Sequence, residues 1–156
     1  MVVYGRFRFA TVVYIVAIIH FLVLAIGGKY SYAESPIGFW MQDLLGLERN
    51  PFDRVGHFMQ GFTPALVARE LLLRTTKLER GGWLRFIVVS ICLAFSAFYE
   101  LLEWWWVILF YPDAGPDWLG HQGDPFDAQA DMLMAALGAS LALLLLSRLQ
   151  DRKMPQ

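Results

Sequence analysis

Cysteine is nearly missing from this chain: Cys92 stands alone, so no disulfide can form within it, and its place in an apolar run marks it as a small lipid-facing or core residue. Charge is also sparse, with 13 Lys and Arg against 14 Asp and Glu, a formal net charge of -1, and only 17% of residues charged. The basic residues fall in short segments between apolar runs and form no single patch. The electrostatic footprint that nucleic acid requires is therefore absent, and nucleic acid is not an expected partner. No GKS/T element follows Gly115, Gly120 and Gly123, so these glycines permit turns and do not cradle a phosphate. A serine nucleophile motif, an internal repeat and a low-complexity segment are lacking as well. What abounds is apolar: 57% of the 156 residues are hydrophobic, more than a soluble core of this size needs, which predicts one membrane-embedded domain over residues 1–156.

Four stretches are long enough to cross a hydrocarbon layer of about 30 Å, which takes roughly 20 helical residues. They run over 9–27, 52–73, 84–110 and 127–147, giving an all-α, polytopic bundle of four transmembrane helices. The second and fourth are the less apolar, but their polar residues crowd one end, DRVGH in one and DAQAD in the other. Lysine and arginine sort the connections. Arg6 and Arg8, then Arg74, Lys77, Arg80 and Arg85, then Arg148, Arg152 and Lys153 belong on one side, which places the N- and C-termini in the cytoplasm. In the first outward loop Lys29 and Arg49 are offset by Glu34, Asp43 and Glu48, and the loop from Tyr111 to Pro125 has no basic residue. A cleaved signal peptide ending near Ser31-Tyr32-Ala33 is the competing reading; the first apolar run is longer than a usual signal core, and its removal spoils the even number of crossings. Trp40, Trp104, Trp105, Trp106 and Trp118 fall at the expected headgroup level, as an interfacial belt. Arg69 and Glu70, near the inner end of the second span, snorkel or pair there.

With that orientation the ionisable residues gather toward the outer leaflet. Asp53 and His57, four apart, share one helical face; so do Glu100 and Glu103, three apart, and Asp127 and Asp131, four apart, with Asp124 just before them. Placing each charge in hydrocarbon costs about 2.5–3.5 kcal/mol on insertion scales, so the acids must face one another, water or a cation. Protons, the guanidiniums of Arg49 or Arg54, or a bound metal are the candidate compensations. Carboxylates with one or two imidazoles suit zinc, manganese or iron, and helical bundles build such sites from paired acids on facing helices. The expected first ligands are His57, Asp53, Glu100 and Asp127, with Glu103 and Asp131 as the spare acids for catalysis. His20, Glu34, His121 and Asp124 complete the polar site, His20 reading more simply as a packed or pore-lining side chain. Capping of a helix start explains Asp53 or Asp127 taken singly. It does not reach Glu100 and Glu103, several turns inside an apolar helix.

Asp53-Arg54-Val55-Gly56-His57-Phe58 resembles the Asp-Lys/Arg-x-x-His-Phe motif of VanZ-like membrane proteins, Glu100-Leu101-Leu102-Glu103 their Glu-x-x-Gln, and Asp127, Asp131 and Gly138 their closing helix. Glu103 stands where that family has glutamine, and Ala135 where it tends to have asparagine. The sequence is more closely similar, over roughly Tyr30 to Leu146, to the YjdF-type inner-membrane proteins of bacteria, an uncharacterised family. The stretches that carry this are Tyr30-Ser31-Tyr32-Ala33-Glu34, Pro36 to Trp40, Arg49 to Phe58, Tyr99 to Trp104, Gly120-His121-Gln122-Gly123-Asp124, and Asp127-Ala128-Gln129. The resemblance implies a bacterial inner membrane and four or more helices, and no reaction. The association of VanZ-like proteins with resistance to lipid-binding glycopeptides implies business in the outer leaflet. Three functions are consistent with the residues: a metal-assisted hydrolase or transferase on a lipid-linked substrate, a proton- or cation-coupled transport or binding protein, and a non-catalytic assembly protein. Membrane lipids are the expected surroundings in each; the residues leave the oligomeric state open.

Overall fold

The structure, a computed structural model, describes residues 7–111 and 122–154. The regular elements among them are five helices and no strand: α1 (Thr11–Tyr30), α2 (Pro36–Leu45), α3 (Phe52–Thr75), α4 (Gly82–Phe110) and α5 (Asp127–Lys153). Trp118, His121, Gly115 and Gly120 lie outside the described residues.

The four long apolar stretches are all helical, the first three within three residues of their expected bounds and the fourth continuing past 147 to Lys153. α1, α4 and α5 are long and apolar enough to cross a membrane. α3 has the length, at 24 residues, but falls short in apolarity because it carries Asp53, Arg54, His57, Arg69, Glu70 and Arg74. Its position explains how such a sequence is accommodated: α3 packs against α1, α2, α4 and α5, most extensively against α5, whereas α1 and α4 barely touch each other. The polar helix is the hub, and the apolar helices surround it. Their outward faces carry exposed side chains such as Ile18, Phe21, Phe86, Phe98 and Leu144, a surface matched to lipid.

Small residues set the central contact. A Cβ on Gly61 would fall on the carbonyl oxygen of Ala135, and one on Gly138 on the carbonyl oxygen of Phe58. Ala135, Ala139 and Ala142 are fully buried on the same stripe of α5. Such small-residue seams let helices approach at backbone distance, where dispersion replaces the hydrophobic drive that is missing in lipid. Cys92 is buried in the core with Val88 and Leu84.

One end of the bundle is closed by a buried network. The fully buried Glu70 accepts from the Ala10 backbone N–H at 3.0 Å, from Arg74 at 2.9 Å and from Gln150 at 3.2 Å. Arg69 donates to Gln150 Oε1 at 3.0 Å and to Asp151 at 2.8 Å, and Gln150 Nε2 donates to the Leu66 carbonyl at 2.7 Å. Arg69 and Glu70 therefore pair inside the protein and do not snorkel, tying the start of α1 to α3 and α5. Arg74 also donates to the Arg8 carbonyl at 2.6 Å, and Arg80 meets Asp151 at 3.2 Å, so the basic segments converge here.

The second element, α2, was expected as loop. Pro36 at its first turn and Gly46 in the left-handed region at its end, φ 62°, delimit it. Asn50, almost wholly buried, fixes it in place: its Nδ2 donates to the Ser35 carbonyl at 3.0 Å and its Oδ1 accepts from the Phe52 N–H at 3.0 Å. Its backbone exchanges two bonds with the Gln122 amide, at 3.0 and 3.1 Å.

Substituting Gly61→Val forces α3 and α5 apart and is expected to lower stability by about 1–3 kcal/mol through overpacking. Gly28→Ala, where an added Cβ meets nothing and the helix gains propensity, is expected to leave the melting temperature in detergent at or slightly above that of the parent. Glu70→Ala, which strands buried donors and a guanidinium, is expected to cost about 3–5 kcal/mol in the same measurement.

Candidate functional site

The opposite end holds the acids. α3 and α5 both begin there, and their seam brings the first turns together: His57 lies one turn before Gly61, and Asp131 one turn before Ala135. Asp53, on the same face of α3 as His57, completes a group whose donor atoms all lie within 4.8 Å of one another. His57 Nε2 is 3.6 Å from Asp53 Oδ1 and 3.8 Å from Asp131 Oδ2. His57 Nδ1 lies 2.8 Å from Gln60 Oε1. A neutral imidazole donating its Nδ1–H to that amide leaves the Nε2 lone pair toward the two aspartates, the arrangement seen when an imidazole binds a metal.

Two guanidiniums brace the acids from behind. Arg54 donates to Asp127 at 2.7 Å and to Asp124 at 3.1 Å, and is in direct contact with Asp131. Arg49 pairs with Asp127 at 2.8 Å and with Asp124 at 3.4 Å. Asp124 also accepts from the Phe126 N–H at 2.9 Å, shaping the turn into α5. Asp53 and Asp127 each sit in the first turn of a helix whose N-cap residue, Pro51 or Phe126, makes no side-chain cap bond.

α4 supplies the facing wall. Glu100 Oε1 is 3.6 Å from His57 Nδ1 and is buried without a hydrogen bond among the described residues. Tyr99 lies edge-on to the His57 ring, centroids 6.0 Å apart, with Glu103 one turn on along the same helix. Tyr32 enters from the turn after α1. Ser31 and Tyr32 both have positive φ, 52° and 39°, and a Cβ on either Gly27 or Gly56 would crowd the Tyr32 ring. Two glycines and a strained turn thus seat one phenol at the site. Burial raises its pKa above the usual tyrosine value, as do the nearby Asp53 and Glu103, so it stays a protonated donor.

Two cavities adjoin here, sharing Tyr32, Asp53, Tyr99 and Glu103. One, of about 440 Å³, is also bordered by Trp106, Asp127 and Asp131; the other, of about 370 Å³, runs between α1, α3 and α4 past His57 and Gln60 to His20, Pro64 and Phe95. Both are within the size of small-molecule sites.

Of the expected ligands, the structure groups Asp53 and His57 with Asp131 and puts Asp127 on the arginines. Glu100 stands on the far side of the imidazole, and Glu103 faces both cavities. His20 lines the second cavity, Asp124 belongs to the arginine brace, Glu34 is exposed in the turn before α2, and His121 lies outside the described residues. Gln60, Tyr99, Tyr32 and Asn50 were not singled out by spacing. Gln60, three residues after His57, is the one that its helical offset would have pointed to.

Apolar helices around a polar hub, with an acid–histidine site at one end, define a membrane-embedded helical protein. The profile of the predicted membrane protein family DUF2238 matches residues 1–152, and the chain belongs to that family. It is 43% identical over 149 residues to the inner membrane protein YjdF of Escherichia coli strain K12, covering 96% of this chain and 71% of that protein. No solved structure matches it.

Arg54→Met leaves Asp131 and Asp127 short of a buried cation and is expected to destabilise the protein by about 3–5 kcal/mol. Adding Asp131→Asn to that variant should recover part of the loss, which a double-mutant cycle of detergent melting temperatures measures.

Proposed function

We propose that this protein is a metal-dependent hydrolase or transferase that acts on a lipid-linked substrate at the outer face of the bacterial inner membrane. The observation that carries the reading is the convergence of Asp53, His57 and Asp131 donor atoms beside a cavity. Two carboxylates and an imidazole suit zinc, manganese or iron. An ion held there supplies Lewis acidity toward a phosphoryl or acyl oxygen. Arg54 holds Asp131 in its ligating position, and Gln60 holds the His57 tautomer. Glu103, facing the cavity beside Tyr99, is the general base, and Tyr32 donates to the oxygen on which charge develops. Glu100 and Asp127 are supporting acids in this scheme, the second because two arginines already engage it.

The topology that goes with this function has four crossings, α3 among them, and both termini in the cytoplasm. Two features support it: the enclosure of α3 by apolar helices, and the convergence of Arg8, Arg74 and Arg80 at the end opposite the acids. The inner-membrane location follows the relative's name. A second reading, proton or cation binding for transport, is favoured by the second cavity, which leads from Asp53 and Glu103 to His20.

Elemental analysis of detergent-purified protein after a mild chelator wash separates the two. About one transition metal per chain is expected, lost in His57→Ala and in Asp131→Asn and kept in Asp127→Asn. Well-folded protein without metal, or with metal removed by the wash, defeats the enzyme reading and directs attention to flux of protons or cations.

A further inference from the structure

α1 and α4 each pack on α3 and α5 but barely on each other, so the bundle has a seam on one side. The second cavity lies directly behind it. Its floor is α3, through Gly56, Gln60 and Pro64, and its sides are Leu24 of α1 and Phe95 of α4. No residue of α5 lines it, and most of the surface that faces it is apolar, although His20, His57 and Gln60 also border it. Leu24 is 46% exposed and Phe95 53%, so the cavity opens sideways onto the face that α1 and α4 turn to lipid. Toward the end of the bundle that bears the acids it meets the first cavity at Tyr32, Asp53, Tyr99 and Glu103. An apolar slot at mid-helix depth that joins a polar chamber at the helix ends matches an amphiphile lying parallel to the helices.

We propose that the seam between α1 and α4 is a lateral portal, and that the cavity behind it holds the hydrocarbon chain of a membrane lipid whose polar head lies in the first cavity beside Asp53, Asp127 and Asp131. The chain enters from the bilayer without crossing water, which keeps the cost of exposing it near zero. Tyr32, wedged between Gly27 and Gly56, marks the boundary between head and chain. What becomes of the bound lipid rests on the reaction proposed above; its binding does not.

The test uses purified protein in phosphatidylcholine vesicles doped with a phosphatidylethanolamine bearing a diazirine in mid-chain, with adducts mapped by peptide mass spectrometry. Adducts on α3 between Gly56 and Pro64 are expected, because bulk lipid reaches that floor only through the seam. The double variant Leu24→Trp/Phe95→Trp should reduce them at least fivefold while labelling near Ile91, on the exposed surface of α4, persists. Adducts confined to exposed faces of α1, α4 and α5, or α3 adducts that the double variant leaves unchanged, overturn the proposal. Metal content is read on the same samples. Metal present with no α3 adduct defeats the portal alone, and α3 adducts without metal defeat the enzyme reading alone.

Discussion

Gly61 and Gly138 let α3 and α5 touch at their backbones, and the parallel course of the two helices carries that contact to both ends of the bundle. At one end it sets Asp131 against His57, and at the other it sets Gln150 against Leu66 and Arg69. Bulkier residues at the seam would move these partners beyond hydrogen-bond reach, because side-chain pairing at 2.7–3.2 Å tolerates little displacement. A packing constraint at the middle thus fixes the chemistry at the ends.

The two ends differ in how well their polar groups are satisfied. Around Glu70 the carboxylate is met by a backbone N–H, a guanidinium and an amide, the condition for a buried ion that holds structure together. Around His57 the nearest carboxylate contacts are 3.6–3.8 Å, and Glu100 Oε1 has no hydrogen bond among the described residues. The contrast runs along one helix: α3 carries a closely hydrogen-bonded carboxylate at one end and, at the other, an imidazole bonded to Gln60 that the nearest carboxylates approach only to 3.6–3.8 Å.

Much of this was legible in the sequence where the signal is local. Long apolar runs located four of the five helices, and offsets of three and four put Asp53 with His57 and Glu100 with Glu103 on common faces. α2 escaped because ten residues between polar turns carry too short a periodic signal, and what orders it is Asn50, a contact from the following loop. Whether Asp127 or Asp131 joins His57 depends on how α5 sits against α3, and on two arginines that claim Asp127 across more than seventy residues of chain. Spacing within one helix carries no information about that rotation. Gln150 and Asp151, near the end of the chain, gave no local sign that they would complete the Arg69–Glu70 network.

A polar hub ringed by apolar helices also has a consequence for biogenesis. With Asp53, Arg54, Arg69 and Glu70 unpaired, α3 partitions poorly into lipid, since each such residue disfavours insertion. Its carboxylates and guanidiniums find their partners chiefly on α5 and at the start of α1. Under the four-span topology, α3 therefore waits at the translocon or the membrane surface until α5 has been synthesised, and its insertion and its folding are one event. A chain that ends ahead of α5 lacks the helix on which α3 packs most extensively and which holds the partners of Arg54 and Arg69.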